Sequence, residues 1–149
     1  MPQKEYLGFG LVKNLNKILE KHKPKKIFLV TGQNSYIKSG AKYILDDYLK
    51  NYNFIHFNDF EENPKLNDIE KGVSIFKKNK CDFVIAVGGG SSMDIAKSIN
   101  TIAANSGKPI EYIKNNKKIT KKGRILVAIP TTSGSGSEAT KFAVVYIDK

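Results

Sequence analysis

The stretch CDFVIAVGGGSSMDIAKSI, residues 81–99, places an apolar segment directly before three consecutive glycines, two serines and a helical pattern. The residues FVIAV (83–87) favour a buried strand, and the spacing of apolar residues after Gly90 favours a helix. A single glycine is enough for most turns between a strand and a helix. Three glycines indicate that a ligand or another segment approaches the bare backbone, since glycine lacks a Cβ atom. The stretch therefore predicts a strand–turn–helix unit with a site at its turn.

The same alternation of strand and helix extends over the whole chain. Helical spacing of apolar residues covers Leu11–Leu19, Ile37–Leu49 and Leu66–Phe76, and a further helix runs from the glycines through Ala104. Short apolar strands are predicted at IFLV (27–30), FIHF (54–57), FVIAV (83–87), ILVAI (125–129) and AVVYI (143–147). Continuous apolar strands followed by helices predict a parallel sheet with helices on both faces, an α/β Rossmann-like fold. We expect residues 1–149 to form one dinucleotide-binding domain, with its ligand beyond the carboxyl ends of the strands.

Composition excludes several classes of protein. The longest apolar run, residues 83–87, is far too short to cross a bilayer, so no membrane partner is expected. The net charge of +11 rests on lysines spread along the chain with a single arginine, Arg124, whereas a nucleic-acid reader clusters its charge and uses arginine. The one cysteine, Cys81, fits a reducing compartment. We therefore expect a cytoplasmic protein that binds no nucleic acid.

The glycine turn has the chemistry of a phosphate site. The amino end of a helix offers unpaired N–H groups and a positive dipole, and Gly88–Gly90 would let a pyrophosphate come close. We expect Ser91 or Ser92 to cap this helix and Asp94 to lie in its first turn. The spacing matches neither G-x-G-x-x-G nor a P-loop, for which Lys97 lies too far along. The alternative is a tight turn that only allows close packing between helix and sheet.

A second polar turn, IPTTSGSGSEAT (129–140), follows the fourth strand and contains neither lysine nor arginine. Because the carboxyl ends of parallel strands share one edge of the sheet, it should face the glycine turn and offer hydroxyl and N–H groups. The two turns would then clasp an elongated polar ligand. The alternative is a mobile surface loop, in which Glu138 is a capping or structural carboxylate.

The turn after the first strand, VTGQNSYIKSG (30–40), bears on the choice of dinucleotide. An acidic residue near this point usually binds the ribose hydroxyls of NAD, whereas NADP requires its absence. Here Gly32, Gln33, Asn34 and Ser35 carry no charge and Lys38 follows, which favours NADP. Ser35 as an ordinary helix cap is the alternative.

Neither of the two histidines has a partner at metal-ligand spacing, and no nucleophile–base pair is evident, so we predict no metal ligand and no catalytic residue.

The segments VTGQNSYIKSG (30–40), EENP (61–64), AVGGGSSMDIAK (86–97) and IPTTSGSGSEAT (129–140) together resemble the amino-terminal domain of iron-containing (group III) alcohol dehydrogenases. The resemblance covers essentially the whole chain in order. It implies the dehydroquinate-synthase-like amino-terminal fold of that family. It also implies the NADP-preferring branch, because Gly32 stands where NAD-preferring relatives usually carry aspartate.

The resemblance implies roles for individual residues in cofactor binding. Gly89, Gly90 and Ser91 would hold the pyrophosphate, with Asp94 close to the nicotinamide. The remaining implied contacts are Thr131, Thr132 and Ser135 from the second turn, Thr140 and Phe142 beside the nicotinamide pocket, Pro64 near the cofactor, and Gly32 with Ser35 near the adenosine ribose and its phosphate.

The implied reaction is reversible hydride transfer between NAD(P)H and a small aldehyde or ketone, with the carbonyl polarised by Fe²⁺ or Zn²⁺. In this family the metal is held by one aspartate and three histidines of a following helical domain, which we expect to be absent from this chain. We therefore expect a fragment that binds cofactor and is inactive alone, from a possible homo-oligomer. The alternatives are a stand-alone, non-catalytic nucleotide-binding module, or a relative of glycerol dehydrogenase or dehydroquinate synthase.

Overall fold

The computed structural model describes residues 3–147 and contains a four-stranded sheet in which every neighbouring pair of strands is parallel. The strands are β1 (Ile27–Thr31), β2 (Phe54–Phe57), β3 (Phe83–Gly88) and β4 (Ile125–Pro130). Their order across the sheet is β2–β1–β3–β4. The chain thus leaves β1 towards one edge and β3 towards the other. The crevice at the carboxyl ends of β1 and β3 is the switch point where ligands bind in such sheets.

Helices cover both faces of the sheet. They are α1 (Asn14–His22), preceded by a 3-10 turn at Leu11–Lys13, α2 (Ser35–Lys38), α3 (Ala41–Leu49), α4 (Leu66–Lys78), α5 (Gly90–Ala103) and α6 (Pro109–Ile113). Buried residues of α1, α2 and α3 pack on one face, and those of α4, α5 and α6 pack on the other. No helix within residues 3–147 is long and apolar enough to cross a membrane.

The central strands are buried at every position because both of their faces are covered, and all their residues before Thr31 and Gly88 are apolar. Phe28 and Val30 of β1 pack with α4 and α5, whereas Ile27 and Leu29 pack with α1 and α3. All five residues of β1 and all six of β3 are buried. A sheet with one face in water would instead show alternating polar residues. The predicted α/β Rossmann-like fold with a parallel sheet is confirmed.

The predicted fifth strand at residues 143–147 is wrong. The segment makes one isolated parallel bridge, between Lys65 and Tyr146, and no strand. Its backbone is engaged elsewhere: the Tyr146 N–H donates to the Pro64 carbonyl at 2.8 Å, and the Val144 N–H donates to the Asp94 carboxylate at 3.0 Å. The segment therefore binds a loop and a helix instead of extending the sheet.

Helix boundaries also differ from the prediction. The helix expected over residues 37–49 is interrupted at Gly40, whose φ of 75° lies in the left-handed region, so α2 and α3 are separate. Helix α6 was not predicted. It begins with Pro109, which suits the first helical position, and the Glu111 carboxylate accepts the Lys108 N–H at 2.6 Å.

The buried thiol of Cys81 yields the first testable prediction. Burial raises its pKa to about 11, and the nearby Lys26 opposes this shift only in part. Because the thiolate is the reactive form, native Cys81 should react with Ellman's reagent at pH 8 roughly a hundredfold more slowly than an ordinary thiol. The measurement is the rate at which the coloured product of the reagent is released. The control is the chain unfolded in guanidinium, in which the single thiol is exposed and should react fast. Fast stoichiometric reaction of the folded chain would contradict the burial.

Candidate nucleotide-binding site

The turns after β1 and β3 contact each other at the switch point. The Gly32 N–H donates to the Val87 carbonyl at 3.2 Å. The buried Ser92 side chain lies between the two turns: a methyl group at Gly88 would lie 2.4 Å from Ser92 Oγ, and one at Gly32 would lie 3.4 Å from it. Gly88 also has a φ of 142°, which side chains rarely adopt. Glycine is therefore required at this junction for packing as well as for backbone conformation.

Helix α5 begins with an amino end that no side chain caps. Its first residue is Gly90, and Gly89 precedes it in an extended conformation. The prediction that Ser91 or Ser92 caps the helix is wrong, because both lie inside its first turn. Asp94 lies beyond the first turn, so the predicted contact with the helix dipole is also wrong. The uncapped N–H groups and the positive end of α5 suit a phosphate.

The loop after β4 closes over these glycines. The Thr131 N–H donates to the Gly88 carbonyl at 2.9 Å, which fixes where the loop starts. A methyl group at Gly89 would lie 3.2 Å from Thr132 Oγ1, and one at Gly90 would lie 3.5 Å from Ser135 Cβ. The predicted meeting of the two polar turns is thus present. The hydroxyl of Thr131 is buried without a hydrogen-bond partner within residues 3–147, so the site holds an unused polar atom.

The segment containing Pro64 reaches the glycine turn through its neighbour. The Asn63 N–H donates to Ser91 Oγ at 3.3 Å, and Pro64 is buried. Asn63 has a φ of 63°, a left-handed conformation that asparagine tolerates better than most residues. The sequence did not single out Asn63. The signal available was its polar side chain in a loop that begins at the carboxyl end of β2.

Asp94 and Lys97 lie on α5 and use their charges within the protein. One carboxylate oxygen of Asp94 accepts the Val144 N–H, and the other lies 2.9 Å from Lys97 Nζ. That second contact is close enough for an ion pair, but its angles do not suit a hydrogen bond. Lys97 Nζ also binds the Ser137 carbonyl at 2.9 Å and the carbonyl of Phe142. The sequence identified Lys97 only as too distant for a P-loop lysine.

The other predicted cofactor residues lie around this cluster. Thr140 and the exposed Phe142 are linked to α5 through Lys97, with Thr140 Oγ1 3.5 Å from Lys97 Nζ. Ser35 lies in front of Gly32, where its hydroxyl would be 2.4 Å from an added methyl group. The structure thus brings the predicted residues to one edge of the sheet. Their contacts with a cofactor stay predictions.

Two titratable side chains beside the Gly32 turn, those of His56 and Tyr36, are neutral near pH 7. Thr31 Oγ1 lies 2.8 Å from His56 Nε2, and the Tyr36 ring packs edge-on against His56. Burial lowers the pKa of His56 below its usual value, which keeps the imidazole uncharged. Burial raises the pKa of Tyr36 to about 12. Neither group repels an anionic ligand, so the turn can accept a phosphate.

A dinucleotide and a metal ion differ in how well they fit these residues. The uncapped end of α5, the bare glycine backbone beneath the hydroxyls of Thr132 and Ser137, and the unpaired Thr131 hydroxyl suit a phosphate-containing ligand. Within residues 3–147, no group of three or more His, Cys, Asp or Glu side chains is placed to hold a metal ion. A catalytic metal therefore does not fit the described part of the chain.

Comparisons with known proteins identify relatives over nearly the whole chain. Residues 2–149 match the family described as iron-containing alcohol dehydrogenase. The chain is 36% identical to choline dehydrogenase of Bacillus subtilis over 142 residues, which are 93% of this chain and 35% of the relative. It also resembles the archaeal Red Sea brine pool alcohol dehydrogenase ADH/D1 bound to NZQ, with a TM-score of 0.83 and 30% identity, covering 99% of this chain and 41% of that one.

Sulfoacetaldehyde reductase from Bifidobacterium kashiwanohense in complex with NAD⁺ is a further structural relative. The TM-score is 0.79 and the identity 26%, covering 99% of this chain and 46% of that one. The chain thus spans less than half the length of each of these relatives. The family match and the shared fold lead to one conclusion: the chain belongs to the iron-containing alcohol dehydrogenase family.

Proposed function

We propose that this chain is the nucleotide-binding part of a metal-dependent alcohol dehydrogenase that prefers NADP(H) to NAD(H). The observation that carries the proposal is the meeting of two polar turns over the uncapped amino end of α5. There Thr132 and Ser135 lie above Gly89 and Gly90. An elongated anion placed in this crevice would meet backbone N–H groups from below and hydroxyl groups from above.

Gly32 supports the preference for NADP(H). A carboxylate at this turn would bind the ribose hydroxyls of NAD and repel a 2′-phosphate. Gly32 offers no side chain, and the space where one would begin is occupied by the Ser35 hydroxyl. The neutral state of His56 and Tyr36 near pH 7 adds no opposing negative charge. The turn therefore suits a ribose that carries a phosphate.

The proposed reaction transfers a hydride from the reduced nicotinamide to the carbonyl carbon of a small aldehyde or ketone, while the carbonyl oxygen gains a proton. This chain would bind and orient the cofactor. The candidate metal ions are Fe²⁺ and Zn²⁺. The side chains that bind the metal, and much of the substrate pocket, would lie outside residues 3–147. We further propose that the protein is cytoplasmic, forms a homo-oligomer and binds no nucleic acid.

Equilibrium binding tests the proposed function. The emission of NADPH is followed during titration with protein, excited through the reduced nicotinamide at a wavelength that the seven tyrosines do not absorb, and the chain contains no tryptophan. We expect a saturable change with one site per chain, competition by NADP⁺, and at least tenfold weaker binding of NADH, about 1.4 kcal/mol. Absence of saturable binding of both reduced cofactors would overturn the proposal. Tighter binding of NADH would overturn the NADP preference alone.

Replacing Gly32 with aspartate should remove the preference for NADPH over NADH. The new carboxylate would repel the 2′-phosphate of NADPH, so the ratio of NADPH to NADH affinity should fall at least tenfold, about 1.4 kcal/mol. The measurement is the same titration with each cofactor. Gly32→Ala is the matched control, because it adds the same Cβ atom beside Ser35 without a charge. Equal ratios in the two variants would contradict a role for charge at residue 32.

A further inference from the structure

We propose that Lys97 and Asp94 form a buried tether that holds residues 137–144 on α5 and so fixes the loop that covers the nucleotide. Lys97 is in this proposal a positioning residue, which acts through the loop and not by contact with the ligand. The part of the proposal that concerns nucleotide affinity rests on the proposed function. The tether itself does not.

The Nζ atom of Lys97 contacts three separate points of the chain. Its ammonium lies 2.9 Å from Asp94 Oδ1, binds the Ser137 carbonyl at 2.9 Å and binds the Phe142 carbonyl. Thr140 Oγ1 lies 3.5 Å away. An ammonium has three donors and requires acceptors when it leaves water. Two backbone carbonyls accept hydrogen bonds from it here, and the Asp94 carboxylate compensates its charge.

Asp94 completes the tether from the other side. Its Oδ2 accepts the Val144 N–H at 3.0 Å, so the ion pair binds the segment at Ser137, Phe142 and Val144. The side chains of Lys97 and Asp94 are 15% and 10% exposed. In each of the other ion pairs found within residues 3–147, both side chains are at least 36% exposed. Such surface pairs add little to stability, whereas breaking a buried pair leaves a charge without compensation.

Besides the tether, the contacts found for this segment within residues 3–147 include one from Gln3 Nε2 to the Glu138 carbonyl at 3.3 Å and, just beyond it, the backbone bonds of Tyr146 with Pro64 and Leu66. The segment forms neither a helix nor a strand, and the side chains of Phe142 and Val144 are mostly exposed. Its first residue, Ser137, and two residues shortly before it, Thr132 and Ser135, carry the hydroxyls that lie over Gly89 and Gly90. If Ser137 is released, its hydroxyl and that of Ser135 can move away from Gly90. The tether therefore controls how closely the loop covers a ligand on α5.

Lys97→Met tests the proposal through two independent readouts. The first is hydrogen exchange at the Val144 amide, which should become at least tenfold faster, because the segment loses the two carbonyl contacts with Lys97 that hold it beside Asp94. The second is affinity for two ligands. ADP would occupy only the phosphate site on α5, where the hydroxyls of Ser135 and Ser137 would cover it, so its affinity should fall, but by less than that of NADPH. The affinity for NADPH, which extends beyond that site under the loop, should fall at least fivefold.

Two further variants keep the test decisive. Lys42→Met removes an exposed ion pair with Asp46 on α3 and should alter neither readout. Asp94→Asn keeps a neutral acceptor for Val144 but removes the ion pair, so faster exchange at Val144 in this variant decides the tether if Lys97→Met fails to fold. Its NADPH affinity does not enter the test, because Asp94 is itself expected close to the nicotinamide.

The outcomes separate the tether from the proposed function. Unchanged protection at Val144 in both tether variants would overturn the tether. Faster exchange with unchanged NADPH affinity, or an equal loss of ADP and NADPH, would overturn the positioning role. If the unaltered chain binds no nucleotide, the proposed function and the positioning role built on it both fail, whereas Val144 exchange still decides the tether.

Discussion

Replacing Gly90 with valine is expected to weaken NADPH binding by at least tenfold, about 1.4 kcal/mol, while leaving the chain folded. Gly90 is the first residue of α5, and a Cβ atom there would lie 3.3 Å from Ser137 Oγ and 3.5 Å from Ser135 Cβ. The two methyl groups of valine would extend further into the space that a phosphate needs. They would also keep the ligand from the N–H groups of the helix.

The fold should tolerate this change because Gly90 does not have a positive φ and its closest neighbour is the end of a serine side chain in a loop. The measurement is the dissociation constant of NADPH, together with the melting temperature of each variant. Thr101→Val, which also places valine on α5 but far from the glycine turn, is the control and should bind NADPH normally. Unchanged affinity of Gly90→Val would show that α5 does not hold the phosphates.

The strands could be predicted because the sheet is covered on both faces. Residues 27–30 and 83–87 are uninterrupted apolar runs, and a buried parallel strand needs such a run. Each strand extends one residue further, to Thr31 and Gly88, because pairing with its neighbour continues past the apolar run. Hydropathy alone does not show where the backbone ladder ends.

The predicted strand at residues 143–147 shows the limit of local propensity. AVVYI contains β-branched and aromatic residues, which favour strands, yet a strand also requires a free sheet edge within reach. In the structure, the Val144 N–H instead donates to the Asp94 carboxylate and the Tyr146 N–H donates to the Pro64 carbonyl. Asp94 lies 50 residues earlier in the chain, and no local pattern indicates that contact.

Within the site, residue types could be predicted but their roles could not. The glycines and hydroxyl-bearing residues of both turns were found because each follows a strand at the same edge of the sheet. The cap was assigned wrongly because three consecutive glycines leave the starting residue of α5 open, and it proved to be Gly90. The role of Lys97 could not be predicted because its partners, Ser137 and Phe142, are 40 and 45 residues away.

Replacing Gly72 with valine is expected to lower the free energy of unfolding by about 3 kcal/mol, at the upper end of the cost of overpacking. Gly72 is buried on α4 where that helix crosses α5. A Cβ atom there would lie 2.1 Å from Cδ1 and 2.8 Å from Cγ1 of Ile99, which is itself fully buried. Valine has the higher helix propensity, but that gain of a few tenths of a kcal/mol is too small to offset the clash.

Urea unfolding measures this effect, and a second substitution locates its cause. Ile99→Ala alone should cost about 2–5 kcal/mol by leaving a cavity, but in the Gly72→Val background that cavity would hold the new side chain. The loss in free energy of unfolding of the double variant should therefore be smaller than the sum of the two single losses by at least about 1 kcal/mol. Ser74→Val places valine on an exposed part of the same helix and should change stability by about 0.5 kcal/mol or less. Additive effects of the two core substitutions would mean that α4 and α5 do not meet at Gly72 and Ile99.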